Sequence, residues 1–362
     1  MKILSRYILK EYLGNLLIGI LIFTFTLMLD HLFELVDLLL NKGASLWLTA
    51  QLLFLLLPSS LSLTLPMSAL LATLLTFGRL SENNEITAIR ASGLPAWSFM
   101  RAPVAAAFCA VLFLVPFNIS WAPHAQSLFR KLYMQVLEAN PLIRIEERIF
   151  LELGDYHMYV EKKDKRTKVM KGITIYKTPV DGAPLRIFAE HGRATVDPRL
   201  GLVLNLQDGR IEEIDPAHPD QWYHTGFKNY RLTIPMQTNQ QTSTRSLEEM
   251  DNHELRAQIH ELRQKGLPYP LFACQMHLRW ALAMTPLLFV LLGTPLAIRV
   301  QRGGRSIGFA ISLIVVTVYY VLLMGGTGLG QRGIWPAWFA VWLADAIVAG
   351  TAGSLLWRFF QR

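Results

Sequence analysis

The sequence predicts an α-helical integral membrane protein with six transmembrane helices, three on either side of an inserted extracytoplasmic all-β domain. Three observations predict it. Six apolar runs reach the roughly 18–20 residues that a bilayer core demands. Lysine and arginine gather at alternate ends of those runs. Between the third and fourth runs lies a long polar segment of short alternating stretches separated by turn signals. The 362 residues are 52% hydrophobic and 17% charged, proportions that place the chain among membrane proteins. The formal charge of +8 does not describe a nucleic-acid binder, because the cations flank apolar runs and form no single patch. Cys109 and Cys274 lie in or beside apolar runs and supply neither a disulfide framework nor metal-ligand spacing.

Lys2, Arg6 and Lys10 precede the first run in the manner of a signal peptide. No small-residue cleavage site follows, and the run continues into Leu29-Asp-His-Leu-Phe-Glu34, so this segment is expected to be a retained span. The expected spans are Leu13–Val36, Leu46–Phe77, Trp97–Trp121, Leu271–Ile298, Ile307–Met324 and Ala337–Trp357. Pro58 and Pro66 in the second, and Pro286 and Pro295 in the fourth, predict kinks or breaks. The domains follow as 1–123 for spans one to three, 124–270 for the insert and 271–362 for spans four to six.

Orientation comes from the flanking cations. One set of ends carries Lys2, Arg6, Lys10, Arg79, Arg90, Arg101, Arg299, Arg302, Arg305, Arg358 and Arg362; the short loops at the other ends carry only Lys42 and Arg332. By the positive-inside rule both termini are cytoplasmic and the insert is external.

The insert reads as strands at Ile149–Leu153, His157–Glu161, Ile173–Tyr176, Leu185–Ala189, Arg193–Val196, Leu202–Leu206, Arg210–Ile214 and Tyr230–Ile234. Turn signals at Gly154-Asp155, Asp181-Gly182, Asp197-Pro198 and Asp208-Gly209 separate several of them. Short strands so spaced predict a sandwich or jelly roll. A helix over about 247–265 follows, opened by a Ser246-Leu-Glu-Glu249 capping box and closed by Gly266.

The stretch Arg79-Leu-Ser-Glu-Asn-Asn-Glu-Ile-Thr-Ala-Ile-Arg-Ala-Ser-Gly93 joins spans two and three. It predicts a short surface helix over about 80–93, capped by Ser81 and stopped by Gly93 and Pro95. Neither Glu85 nor Arg90 has an opposite charge one turn away on that helix. Two such charges suit docking to another protein; a solvated connector is the alternative.

Catalytic signatures are missing. There is no G-x-x-x-x-G-K-[ST] phosphate loop and no G-x-S-x-G nucleophile elbow. His253-Glu254 and His260 sit seven apart, where a zinc helix needs four, so a solvated helix face is the reading and no metal is expected. Gly325-Gly-Thr-Gly328 and Gly330 have no strand before them and fail as a dinucleotide site. Asp30, Glu34 and Asp37 share one face near the outer end of span one, as functional carboxylates or as interfacial ones. Lys42, Arg130, Lys131 and Arg279 lie at outer span ends, where they can meet an anionic headgroup or act as ordinary anchors.

Several stretches resemble one family, the lipopolysaccharide-export permeases LptF and LptG. They are Arg6-Tyr-Ile-Leu-Lys-Glu11, Leu65-Pro66-Met67, Leu74-Leu-Thr-Phe-Gly-Arg-Leu80, Glu85-Ile-Thr-Ala-Ile-Arg-Ala-Ser-Gly93, Gly293-Thr-Pro-Leu-Ala297, Arg302-Gly-Gly-Arg305-Ser-Ile-Gly308 and Pro336-Ala-Trp338. The Leu-Thr-Phe-Gly-Arg-Leu wording and the Lys42-Gly43 turn are more like LptF. The resemblance covers the spans almost end to end; the insert matches by size and place. It implies a non-enzymatic permease of the bacterial inner membrane, with a periplasmic jelly roll. It implies a paralogous LptG-like permease as heterodimer partner, an LptB-like ATPase dimer in the cytoplasm and a single-span LptC-like protein. The complex would extract lipopolysaccharide from the outer leaflet and pass it to the periplasmic β-domains. No cofactor is expected in this chain, ATP-Mg being used by the partner. The short helix would be the coupling helix, with Glu85 contacting the ATPase and Glu82 and Arg90 beside it. Lys42, Arg130, Lys131 and Arg279 would meet the lipid. Two other classes compete: a permease-like subunit for lipoprotein release or signalling, and an intramembrane lipid-modifying enzyme. The six-span layout weighs against the first, and the absence of paired carboxylates or a nucleophile at one depth against the second.

Overall fold

The computed structural model describes residues 2–40, 45–139, 148–153, 156–163, 169–177, 185–197, 201–215, 218–234, 246–299 and 304–361. Its elements run in order α1 (Lys2–Leu40), α2 (Leu46–Glu82), α3 (Glu85–Ala91), α4 (Trp97–Pro116), a π-helical turn (Phe117–Trp121), α5 (Ala122–Ala139), β1 (Phe150–Leu153), β2 (Tyr156–Lys163), β3 (Val169–Lys177), β4 (Leu185–Asp197), β5 (Gly201–Asp215), β6 (His218–Ile234), α6 (Asn252–Gln264), α7 (Pro270–Arg299), α8 (Gly304–Gln331) and α9 (Ala337–Gln361). Contacts divide the chain into two units. One comprises 1–40, 45–130 and 245–362; the other holds the sheet.

In the helical unit, six helices are long and apolar enough to cross a membrane: Ile3–Phe33, Leu46–Glu82, Trp97–Gln135, Pro270–Arg299, Ile307–Gln331 and Ala337–Gln361. Five of these contain the corresponding expected spans, and the first expected span, Leu13–Val36, runs past Phe33 but stays within α1. α7 is the central one: 72% of its most apolar window is buried, against 17% for the first span and 22% for the fifth. The core joins Leu70, Leu74 and Phe77 of α2, Phe99 of α4, Phe289 and Ile298 of α7, Tyr319 of α8 and Val341 of α9. In contrast, Ile314, Val318, Val321 and Met324 of α8 lie bare on its surface, as a helix facing lipid requires.

Close backbone approach and small hydroxyls hold the spans together, because in an apolar solvent burial of apolar surface no longer drives association. Gly19 of α1 lies against Ser68 of α2. Nearby, Asn15 Nδ2 donates to Thr76 Oγ1 at 2.9 Å and Thr24 bonds Thr64 at 3.1 Å. The prolines predicted to kink or break these spans do not break them: α2 stays helical through Pro58 and Pro66, and α7 through Pro286 and Pro295. Beside Pro66, the Leu63 carbonyl accepts from Tyr320 of α8 at 3.1 Å. The third span changes to a π turn after Pro116, which aims the buried Asn118 inward. Its amide accepts from Ser62 at 2.7 Å and donates to the Arg279 carbonyl at 3.3 Å.

The inserted unit is one antiparallel sheet in the order β1-β2-β3-β4-β5-β6, each strand pairing with its sequence neighbours. Eight expected strands become six, because Leu185–Ala189 with Arg193–Val196 and Leu202–Leu206 with Arg210–Ile214 are continuous. Asp208-Gly209 is therefore no turn. Asp208 has φ 51° inside β5, and Gly209 has no room for a Cβ, which would meet the Phe188 carbonyl at 2.2 Å. Gly172 of β3 has φ 64°. Across Gly172 the buried positions switch from even to odd numbering, whereas beyond Asp208 the buried Glu212 keeps the even numbering of Leu202, Leu204 and Leu206. In β3, Ile173 and Ile175 are buried on one side of Gly172 and Met170 on the other; in β5, Leu202, Leu204 and Leu206 precede Asp208 and the half-buried Ile211 follows it. Gly154-Asp155, Asp181-Gly182 and the bond following Asp197 lie outside the described residues. Ile173, Ile175, Ile187, Leu202 and Leu204 form the core, whereas Ile149 and Phe150 are exposed.

The helix after the insert begins later than the Ser246–Glu249 pattern predicts. Asp251 is the N-cap, forming a capping box in which Glu254 N donates to Asp251 Oδ1 at 2.7 Å and Asp251 N to Glu254 Oε2 at 3.1 Å. Ser246 and Glu249 bond each other at 2.6 Å in the preceding turn. Gly266, at φ 67°, closes the helix, and Leu267 N reaches back to the Leu262 carbonyl at 2.9 Å.

Candidate functional site

At the end of the helical unit that carries Arg79, Arg90 and Arg101, α2 gives way to α3 through two asparagines. Asn83 N returns to the Arg79 carbonyl at 3.0 Å, and Asn84 adopts φ 57°, a left-handed conformation that asparagine tolerates better than most residues. This corrects the expected cap. Ser81 is buried in the last turn of α2, and Asn84 occupies the position before α3. The helical pattern of the span simply runs one turn further than its apolar run. Gly93, at φ 78°, ends the segment as expected, its N–H bonding the Arg90 carbonyl at 2.9 Å.

α3 is anchored to the helical core chiefly through Ile86, with Ile89 packed beside it. Ile86 is 3% exposed and joins the cluster of Ile8, Phe77, Leu80, Phe99 and Ile298. Glu85 lies in the first turn and is half-exposed, where the helix dipole favours a carboxylate. Its Oε1 accepts from Tyr7 Oη and from Asn83 Nδ2, both at a long 3.4 Å. Among the described residues no cation pairs with it. Arg79 is occupied instead by α1: its Nη2 donates to Tyr7 Oη at 2.6 Å and pairs with Glu11. Tyr7 thus accepts from Arg79 and donates to Glu85. Glu82 is exposed.

Arg90 departs from the sequence expectation. It has no partner on its own helix but finds one on α9. Nη2 donates to the Phe359 carbonyl at 3.2 Å, and the guanidinium lies 4.7 Å above the Phe359 ring. The charge is spent inside the chain.

At the opposite end, the expected lipid-facing cations separate. Arg279 is 6% exposed. Nη2 donates to the carbonyls of Leu247, Glu248 and Met250 at 3.3, 3.3 and 2.6 Å, and Nη1 to Asn252 Oδ1 at 3.0 Å. The expectation of an open headgroup contact is corrected: a guanidinium placed in an apolar span must satisfy its donors, and this one does so on the turn before α6. Arg130 pairs with the buried Glu249 of that turn at 2.8 Å. Lys131 is exposed, and Lys42 lies outside the described residues. Asp30 is exposed, and the side chains of Glu34 and Asp37 are not described.

One polar group escaped the sequence reading. Asp345, inside the sixth span, is 3% exposed; Oδ1 accepts from Tyr319 at 3.0 Å, and Tyr319 Oη lies 2.7 Å from Thr285. The available signal was an aspartate in an otherwise apolar run, which by default marks a site with a partner.

Six apolar spans, three before and three after an inserted antiparallel sheet in the chain, with a braced short helix between spans two and three, define a class: multi-pass membrane proteins. The model of the lipopolysaccharide export system permease LptF/LptG family matches residues 6–358, and the chain belongs to that family. It is similar to the lipopolysaccharide export system permease protein LptF of Escherichia coli (strain K12) and of Shigella flexneri, at 22% identity to each over 98% of this chain and 95% of theirs. Those relatives agree with the LptF-like wording of Leu75-Thr-Phe-Gly-Arg-Leu80.

Proposed function

We propose that this chain is a transmembrane subunit of an ATP-driven exporter that withdraws lipopolysaccharide from the outer leaflet of the inner membrane and hands it to periplasmic β-domains. ATP hydrolysis belongs to a separate cytoplasmic ATPase dimer, and the second permease is a paralogue. A single-span periplasmic protein continues the path. In this reading both termini and α3 are cytoplasmic and the sheet is periplasmic. Lys131 and Lys42 remain the cations able to meet the phosphates; Arg279 and Arg130 hold the local fold.

The observation that carries the reading is Glu85. It is a half-exposed carboxylate on a helix that Ile86 pins to the span core, with only long bonds to its own chain. A rigid anchored helix with an available charge can receive motion from a docked ATPase. Losing the partner of a buried interfacial charge costs about 2–5 kcal/mol. Reconstitution of Glu85→Ala and Glu85→Lys with the ATPase tests this by measuring assembly, hydrolysis and lipid release together. Weakened assembly or unlinked hydrolysis is expected, more so for lysine; wild-type values in Glu85→Lys would remove the assignment.

A further inference from the structure

Arg90 sits five residues beyond Glu85 on the same short helix, yet it turns into the bundle. Its acceptor, the Phe359 carbonyl, is in the last turn of α9, where carbonyls have no intrahelical donor. Arg90 therefore caps α9 from outside, where a cation also suits the negative helix end. The same residue supplies the ring beneath the guanidinium. That ring is also edge-on to Phe99 of α4, with centroids 6.3 Å apart, and Phe99 lies 6.0 Å from Phe77 of α2. The end of α9 is thus held between α4 and α3, although α3 is joined through the chain only to α2 and α4.

We infer that Arg90 is a positioning residue that transmits displacement of the coupling helix to the last span through Phe359, and that it is not an ATPase contact. The inference rests on the proposed role of α3. If α3 shifts, the last turn of α9 must follow or lose both its cap and its stacked cation. Lysine cannot replace this fully, because a point charge lacks the planar fork and the stacking face.

The test uses the complete permease complex reconstituted with its ATPase, carrying Arg90→Ala, Arg90→Lys, Phe359→Leu or the double change Arg90→Ala/Phe359→Leu. Expected are wild-type ATPase binding and hydrolysis throughout. Lipid released per ATP should fall roughly fivefold in Arg90→Ala and in Phe359→Leu, the factor carried by a contact of this kind. The double variant should fall no further, and Arg90→Lys should lie between. Loss of ATPase binding in Arg90→Ala alone would make it a docking residue and overturn the inference. So would unchanged release per ATP in both single variants, or failure of both to assemble, which would make the contact structural only. Glu85→Ala, run beside them, reports on the coupling helix itself. If it is silent while the Arg90 and Phe359 variants uncouple, the ATPase-contact reading of Glu85 falls and the α3–α9 link stands.

Discussion

Arg279 Nη2 and the Met250 carbonyl lie 2.6 Å apart, so a single arginine of the fourth span holds the turn by which the chain returns from its inserted sheet. Two further carbonyls and the Asn252 amide complete its shell. From the other side Arg130 grips Glu249. A charge that would be expensive in a span is tolerated because the turn's carbonyls are aimed at it.

Arg279→Gln removes most of these donors and strips the part-buried Leu247 and Met250 carbonyls of their partner, at up to about 1–3 kcal/mol each where water does not replace it. A marked loss of thermal stability in detergent is expected, together with faster proteolysis at 246–252. A residue that only touched lipid would instead lose lipid binding at unchanged melting temperature, so the two measurements taken together check the assignment.

Glycine packing between the last two spans gives a paired comparison. A Cβ at Gly326 would lie 2.2 Å from the Ala340 carbonyl, whereas one at Gly325 meets nothing within 4 Å. Gly326→Ala should destabilise by about 1–3 kcal/mol or more through overpacking. Gly325→Ala should be neutral or slightly stabilising, since alanine is the better helix former. Unfolding of the two variants side by side reads the difference.

The Tyr319–Asp345 bond ties α8 to α9 in an apolar setting. Tyr319→Phe strands the buried carboxyl group and should cost about 1–3 kcal/mol. Replacing both partners, as Tyr319→Phe with Asp345→Leu, should cost less than the sum of the single changes, because no polar group is left alone. A double-mutant cycle on melting temperatures supplies the sign of the coupling.

Orientation is open to chemical labelling. On a background lacking Cys109 and Cys274, a cysteine at the exposed Gln207 of β5 should react with an impermeant thiol reagent applied from the periplasm. One at the exposed Thr87 of α3 should react only after the membrane is opened. The reverse pattern would invert the topology.

Features that depend on local chemistry are readable from the residues alone. The six spans follow from run length against bilayer thickness, the insert's position from the loss of apolar runs, and the short helix from Gly93 and its neighbours. Glu85 stands out in the sequence because its own helix lacks a countercharge. Boundaries set by competition are less legible. Ser81 looked like a cap until the α2 pattern outran it, and Ser246 looked like one until Asp251 and Glu254 formed the better box. Partners, by contrast, are set by the folded chain. Arg90 and Phe359 are 269 positions apart, and Arg79 and Glu11 are 68 apart. Arg279 carries the same charge as Lys131, yet one is enclosed by carbonyls and the other is exposed. A side chain's charge is a property of its residue, but what neutralises that charge is set by which distant backbone the fold brings within about 3 Å, and no local pattern encodes that distance.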